Sequence, residues 1–234
     1  MDKKNFEPLE NKIKLKFVHR NLLMNIFIHR SYLNEHKKYH LPSNEQLEFL
    51  GDSVLSLITS YYLFIKYPKL QEGDYTDIKA AIVRTESLAE AANGLNLGEY
   101  LYLSHGQNQE GGRKNVNILA DCFEALIAGI FLEFGFKKAY QFVLDYLYAD
   151  KLDYIVKNKL YLSPKSRLQE HAQSHFKVIP TYQFEEQKGP EHKRIFHVIV
   201  SIRGKKLGLG TGHSKKEAEE AAAKKALEKV RTML

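Results

Sequence analysis

The chain has 234 residues and a hydrophobic content of 44%, which allows one large globular domain or two modest ones. Its single cysteine, Cys122, excludes an internal disulfide and a zinc site built on several thiolates, and it favours a reducing compartment, which we expect to be the cytoplasm. The N-terminal residues do not have the pattern of a signal peptide, and no apolar run reaches the roughly 18 to 20 residues of a membrane span. We therefore expect no membrane partner.

The positive charge of the chain is concentrated at its C-terminal end. Residues 165–234 contain 15 Lys and Arg against 8 Asp and Glu, a net charge of +7, whereas residues 1–164 contain 20 of each. A basic segment joined to a neutral one suggests that the basic segment holds a polyanion. A solvated basic surface without a partner explains the same charge, so further motifs must decide.

Helical patterns dominate the chain up to Leu162. The stretch 105–115, HGQNQEGGRKN, lacks periodicity and predicts a loop. The predicted helices are residues 21–29, a long segment capped by Ser43 and ending near Tyr67, a segment capped by Asp74 that runs toward Asn93, the apolar run 118–132, residues 137–148 and a short segment ending near Lys159.

The long helix after Ser43 carries a group of acidic residues. Within NEQLEFLGD, residues 44–52, Glu45, Glu48 and Asp52 are spaced i, i+3, i+7 and share one face. Like charges at this spacing repel. Taken alone, these acids could simply belong to the solvated face of an amphipathic helix.

A second acidic motif lies in the apolar run. In ILADCFEAL, residues 118–126, Asp121 and Glu124 interrupt a sequence that predicts a buried helix. No Lys or Arg stands three or four residues after these two acids, nor after Glu48 or Asp52. Buried carboxylates need a partner or a shifted pKa, and a divalent cation held between the two helices is the simplest compensation.

The C-terminal part has a different pattern, with the order α-β-β-β-α. Alternating apolar and β-branched residues predict three strands, and Ser214 with Glu217 forms a capping box for the last helix. The predicted elements are a helix from Lys165 to about His175, strands at 181–187, 194–202 and 206–211, and a helix from Ser214 onward.

These motifs resemble bacterial ribonuclease III over nearly the whole chain. The nuclease motifs are FIHRSYLNE (27–35), NEQLEFLGDSVL (44–55) and ILADCFEALIAGIFLE (118–133), and the C-terminal motifs, similar to a double-stranded-RNA-binding domain, are RLQEHAQ (167–173), GPEH (189–192), GTG (210–212) and SKKEAEEAAAKKAL (214–227). The resemblance implies an all-α endonuclease domain at 1–159, a linker at 160–164 and an α+β RNA-binding domain at 165–234.

It also implies a hydrolase that cuts both strands of double-stranded RNA as a homodimer, with Mg²⁺ as its metal and Mn²⁺ as a substitute. The expected products carry 5′-phosphate and 3′-hydroxyl ends, and no nucleotide cofactor is needed. Processing of ribosomal RNA precursors, and of messenger and transfer RNA, is the expected biological role. Oxygen-only ligands agree with Mg²⁺ or Mn²⁺ rather than zinc.

Carried over residue by residue, the resemblance makes Glu48, Asp52, Asp121 and Glu124 the metal-binding carboxylates, with Asp52 and Glu124 as the catalytic pair. Glu45 and Glu86 would lie near the site. Phe49 would insert into a socket on the other subunit, although a place in the core is an equal alternative. The residues expected to bind RNA are Gln169, Glu170, Gln173, His192, Lys215 and Lys216.

The chain departs from the family pattern at several positions outside the four carboxylates. Gln46 stands where the family usually has Arg, Ile28 where it often has Thr, and His105-Gly106-Gln107 where Lys-Gly-Glu is more usual. A non-catalytic RNA-binding scaffold is the alternative function, but a scaffold has no reason to keep four repelling acids. A di-iron bundle enzyme would need Glu-x-x-His motifs, which the sequence lacks.

Overall fold

A computed structural model describes residues 4–148, 151–188 and 194–231 of the protein. The chain divides into two compact units, Met1–Ile155 and Val156–Leu234. The first unit is helical and the second has the order α-β-β-β-α, which confirms the predicted fold class. The domain bounds at 159 and 165 stay a prediction. Among the described residues, no helix combines the length and the apolar character that crossing a membrane requires.

The first unit consists of helices joined by short connections. Two 3₁₀ turns, Leu97–Tyr100 and Gly112–Lys114, lie before the longest helix, and a π turn, Leu144–Tyr148, follows it. The α-helices are α1 Glu7–Ile13, α2 Arg20–Ile26, α3 Arg30–Glu35, α4 Glu45–Lys66, α5 Glu72–Ile82, α6 Thr85–Gly94, α7 His105–Gln109, α8 Val116–Val143 and α9 Lys151–Lys157, the last of which spans the division between the units.

The predicted caps of the long helix and of the one after it are wrong. Helix α4 begins after Asn44, and the Ser43 hydroxyl instead donates to the Glu45 carboxylate at 2.8 Å. Helix α5 begins after Gln71, and Asp74 is its third residue, where it accepts the Gln71 N–H and closes a capping box. Ser43 and Asp74 each lie within three residues of the true N-cap. Each side chain forms a hydrogen bond in the first turn, but neither residue occupies the N-cap position.

The prediction of a loop at 105–115 is also wrong in part. Ser104 caps the short helix α7 by accepting the Gln107 N–H at 3.2 Å, and a 3₁₀ turn follows. The Arg113 guanidinium donates to the carbonyls of Gly98 at 2.8 Å and Leu101 at 3.0 Å. Side-chain hydrogen bonds therefore hold this segment, and such bonds leave no apolar periodicity in a sequence.

Helix α8 is the centre of the first unit. Its residues from Ile118 to Ile130 include eight apolar side chains with no exposed surface, so the prediction of a buried helix is correct. Gly135 breaks the helix with φ 78° and ψ 176°. This break explains why the sequence shows two helical segments, 118–132 and 137–148, instead of one.

Helix α4 packs against α8 with its backbone very close at one point. A Cβ atom added to Gly51 would lie 1.9 Å from the carbonyl oxygen of Glu124, so only glycine fits there. The neighbouring turns of α4 bury Leu47, Val54 and Leu55. The contact at Gly51 therefore fixes where the acidic motifs of the two helices meet.

The second unit packs helices α10, Pro164–Phe176, and α11, Lys215–Arg231, on one antiparallel sheet of order β1-β2-β3. The strands are β1 Thr181–Lys188, β2 Ile195–Ile202 and β3 Lys205–Gly212, in agreement with the prediction. Added Cβ atoms at Gly208 and Gly210 would lie 2.2 and 2.1 Å from carbonyl oxygens of α11, so glycines let this helix approach the strand. The core is Leu168, Ala172, Val200, Ile202, Leu207, Ala222, Ala223, Ala226 and Val230.

We predict that Gly51→Ala destabilises the protein by about 1 to 3 kcal/mol or more, because the new methyl group must push α4 away from the backbone of α8. Gly73→Ala in α5 is the matched control, since nothing lies within 4 Å of a Cβ atom there. Its free energy of unfolding should change by less than about 1 kcal/mol. Urea unfolding of both variants measures the difference, and equal midpoints would contradict the packing argument.

Candidate metal centre and nucleic-acid interface

Three carboxylates meet where α4 crosses α8. Glu48 comes from α4, and Asp121 and Glu124 come from α8. One carboxylate oxygen from each lies within 4.8 Å of the others, and all three side chains are half-buried. We call these residues the acidic cluster. In the part of the chain that the structure describes, no second group of three His, Cys, Asp or Glu side chains lies this close.

The surroundings of the acidic cluster oppose its ionisation. Burial raises the pKa of Glu124 to about 8, and the charges of Asp52, Glu48 and Asp121 add to the effect. Burial also raises the pKa of Glu48, with Asp121 as the next cause, and burial raises the pKa of Asp121. Carboxylates this close do not all ionise at neutral pH unless a cation joins them.

Within the described residues, no Lys, Arg or His side chain pairs with the acidic cluster. No salt bridge there involves Glu48, Asp121 or Glu124. A set of three carboxylate oxygens within 4.8 Å of one another suits a hard divalent ion. The donor chemistry of the acidic cluster therefore fits a divalent metal.

The other predicted acids lie outside the cluster. Asp52 is exposed on α4, one turn after Glu48, and its charge still raises the pKa of both Glu48 and Glu124. Glu45 is exposed one turn before Glu48. Glu86 is exposed on α6, with an oxygen 3.9 Å from Nε of Arg84. The structure thus brings together three of the four predicted metal ligands, and the roles of Asp52, Glu45 and Glu86 stay predictions.

Phe49 is not a core residue of the chain, so that alternative was wrong. Its exposed fraction is 78%, and further apolar side chains are exposed along the same stripe of α4. Leu57 and Tyr61 are among them, with exposed fractions of 57% and 49%. We call the exposed apolar side chains on this side of α4, which are Phe49, Leu57, Tyr61 and Phe64, the apolar stripe.

The predicted RNA-binding side chains are exposed on the second unit. Gln169, Glu170 and Gln173 lie on α10, where the Glu170 carboxylate forms an ion pair with Lys159. Lys215 and Lys216 begin α11, and Nζ of Lys215 lies 5.6 Å from the centre of the Phe184 ring. His192 lies outside the described residues, as does the whole of the GPEH motif at 189–192.

Three residues that position the site, Gly51, Arg113 and Asn44, were not predicted from the sequence. Gly51 was visible as an interior glycine between two acids of a helix, a pattern that marks close backbone packing. Arg113 and Asn44 gave no such signal. The Asn44 amide is buried and donates to the Ile26 carbonyl at 3.1 Å, which fixes the start of α4.

Comparisons with known proteins agree with this architecture. Residues 19–151 match the family model described as Ribonuclease-III-like, and residues 164–230 match the model of the double-stranded RNA binding motif. Ribonuclease 3 of Chloroflexus aurantiacus is 45% identical over 94% of this chain and 89% of its own length. Ribonuclease 3 of Bacillus velezensis is 42% identical over 96% of this chain and 90% of its own.

A solved structure is similar to the first unit. The nuclease domain of ribonuclease III from Campylobacter jejuni is 39% identical, with a TM-score of 0.57, and the match covers 61% of this chain and 96% of that domain. The second unit matches the RNA-binding model separately. The chain therefore belongs to the ribonuclease III family and is an endoribonuclease that acts on double-stranded RNA.

Proposed function

We propose that the enzyme cuts both strands of duplex RNA with Mg²⁺, or Mn²⁺ in its place, bound by Glu48, Asp121 and Glu124. The observation that carries this proposal is the half-buried acidic cluster, which has no basic partner among the described residues. Members of the family use a divalent metal, and the products would carry 5′-phosphate and 3′-hydroxyl ends. We further propose the domain bounds 1–159 and 165–234 and a role in processing ribosomal RNA precursors and other structured RNA in the cytoplasm.

The side chains of the site have separate tasks in this mechanism. A bound divalent ion would activate water and offset the negative charge that grows on the phosphate. Glu124 would have to release a proton to bind such an ion, because burial and the neighbouring carboxylates raise its pKa to about 8. Asp52, exposed one turn after Glu48, can orient the attacking water from the solvent side. Hydrolysis needs no His or Cys here.

The apolar stripe supports a homodimer. Several exposed apolar side chains on one side of a helix indicate an interaction surface, and Phe49 is the most exposed of them. For the Campylobacter jejuni relative, a region of the nuclease domain is described as involved in dimer formation. Two sites related by a two-fold axis match the two antiparallel strands of a duplex, so one subunit would cut each strand.

The second unit would hold the duplex by its shape. Gln169 and Gln173 on α10 can bond to 2′-hydroxyls and base edges in the shallow minor groove, and Glu170 can accept from a 2′-hydroxyl. His192 would reach a second groove. Lys215 and Lys216 stand in the first turn of α11, where cations oppose the helix dipole and a phosphate relieves the cost.

We predict that Glu124→Gln reduces cleavage of a defined RNA duplex in MgCl₂ by at least about 100-fold, because the metal loses an anionic ligand. Glu72→Gln, which removes an exposed carboxylate from α5, should cleave like the wild type. Duplex binding in EDTA should be equal for all three proteins. Equal cleavage by Glu124→Gln would disprove the assigned site, and wild-type binding without cleavage in Mg²⁺ or Mn²⁺ would support the scaffold alternative.

The raised pKa of Glu124 predicts a pH dependence of stability. Without metal, the folded protein retains this proton up to about pH 8, whereas the unfolded chain loses it near the ordinary pKa of 4.5. The unfolded state therefore binds fewer protons, and stability falls as the pH rises from about 5 to 8. Melting temperatures in EDTA should show this fall, and Mg²⁺ should oppose it. The same curve in Glu124→Gln would contradict this cause.

We also predict that RNA affinity depends steeply on salt, because contacts to phosphates dominate binding. The double variant Lys215→Gln, Lys216→Gln should reduce the slope of log K against log salt by about two. The exposed pair Lys224 and Lys225 on the same helix is the matched control, and its double Gln variant should keep the slope. Fluorescence anisotropy in EDTA measures both, and equal slopes would argue against phosphate contacts at the start of α11.

A further inference from the structure

One ion pair lies at the edge of the acidic cluster. Nη1 of Arg30, the first residue of α3, is 3.5 Å from Oε1 of Glu45, the first residue of α4. Glu45 stands one turn before Glu48, so its carboxylate and that of Glu48 lie on neighbouring positions of one helix face. The tertiary fold, and not closeness in sequence, thus brings a guanidinium beside the acids.

The backbone around Arg30 is held by hydrogen bonds, and its side chain is exposed. His29 caps α3 by accepting the Ser31 N–H at 3.2 Å, and its own N–H donates to the Tyr102 carbonyl at 3.1 Å. The Asn44 N–H donates to the Ile28 carbonyl at 2.8 Å, which joins the start of α3 to the start of α4. The Arg30 side chain is nevertheless 72% exposed. Hydrogen bonds therefore hold the backbone of Arg30, while its guanidinium lies in solvent and contacts Glu45.

The ion pair between Arg30 and Glu45 contributes little to folding stability. Both side chains are mostly exposed, 72% for Arg30 and 54% for Glu45, and an ion pair that long in water adds little to folding stability. Such a pair also breaks easily when a better anion arrives. A phosphate is that anion, because the planar fork of a guanidinium donates two parallel hydrogen bonds to it.

Binding of RNA at the acidic cluster requires a positively charged side chain near the carboxylates. An RNA duplex that approaches the site meets the acidic cluster together with Asp52 and Glu45, and these carboxylates repel its phosphates. A metal ion held by the acidic cluster would offset the charge of the phosphate that is cut, but the neighbouring phosphates would still be repelled by the exposed carboxylates of Asp52 and Glu45. Among the ion pairs of the described residues, the Arg30 pair is the one that reaches these acids.

We propose that Arg30 leaves Glu45 when RNA arrives and binds a backbone phosphate next to the one that is cut, so that it positions the duplex over the acidic cluster. This inference rests on the proposed function, since it assigns a substrate contact to that same site. Glu45 holds the guanidinium at the edge of the site while RNA is absent.

The test compares single-turnover and steady-state cleavage of a defined duplex in MgCl₂. Arg30→Gln should raise KM about tenfold with little change in kcat, because the lost contact is the same before and during the reaction. It should also reduce the salt slope of kcat/KM by about one. Arg30→Lys should keep the slope but recover only part of the affinity.

The control removes a charge from the same unit without touching the site. Lys138 is exposed on α8 beyond the break at Gly135, and Lys138→Gln should keep the wild-type KM and slope. Equal values for Arg30→Gln and Lys138→Gln would overturn the inference. In a Glu45→Gln background, Arg30→Gln should still raise KM, and loss of its effect there would show that Arg30 acts only through Glu45.

Duplex binding in EDTA separates this inference from the proposed function. If the wild type binds but does not cleave, the proposed function fails, and the salt slope of binding still tests Arg30 alone. An unchanged slope in Arg30→Gln would then overturn the phosphate contact. Thermal melting of each variant by circular dichroism checks folding, and if Arg30→Gln is unfolded, the slope and affinity of Arg30→Lys decide.

Discussion

The close approach of α4 to α8 at Gly51 is the constraint on which the site depends. Because Gly51 has no side chain, its backbone lies against the carbonyl of Glu124, and Glu48 comes within ligand distance of Asp121 and Glu124. Any larger residue would separate the helices and open the acidic cluster. The cost of gathering three half-buried carboxylates is offset by the dense apolar packing of α8. Packing thus holds the acids in an arrangement that their charges oppose.

The negative charge of the acidic cluster also explains why the chain needs a separate basic unit. A cluster that attracts a cation also repels the phosphates of the substrate, so a site built only from acids would bind RNA poorly. The net charge of +7 in residues 165–234 compensates for this at the scale of the whole chain. Affinity can therefore come from the basic unit while the first unit keeps the negative field that metal binding requires. Salt screening weakens the first effect more than the second, because the acidic cluster is half-buried.

The sequence predicts much of this arrangement and fails where tertiary contacts decide. Helical spacing and the lack of nearby cations pointed to Glu48, Asp121 and Glu124, and alternation placed the three strands correctly. The caps at Ser43 and Asp74 failed because several polar side chains near a helix start can cap it. Apolar periodicity does not distinguish a core from an interface, so the exposure of Leu57 and Tyr61 on α4 leaves no signal in the sequence. The bonds of Arg113 and Arg30 leave no pattern, since their partners are distant in sequence.

Helix α4 links the proposed dimer to the chemistry. Its core side carries Leu47 and Val54, one edge carries Glu48, and the apolar stripe that begins at Phe49 faces solvent. Because one rigid helix bears both the stripe and a metal ligand, a second copy that covers the stripe also fixes the position of its own acidic cluster relative to the first. The offset between the two cuts would then be a property of the interface, and a change within the stripe would alter where the second strand is cut without altering a single ligand.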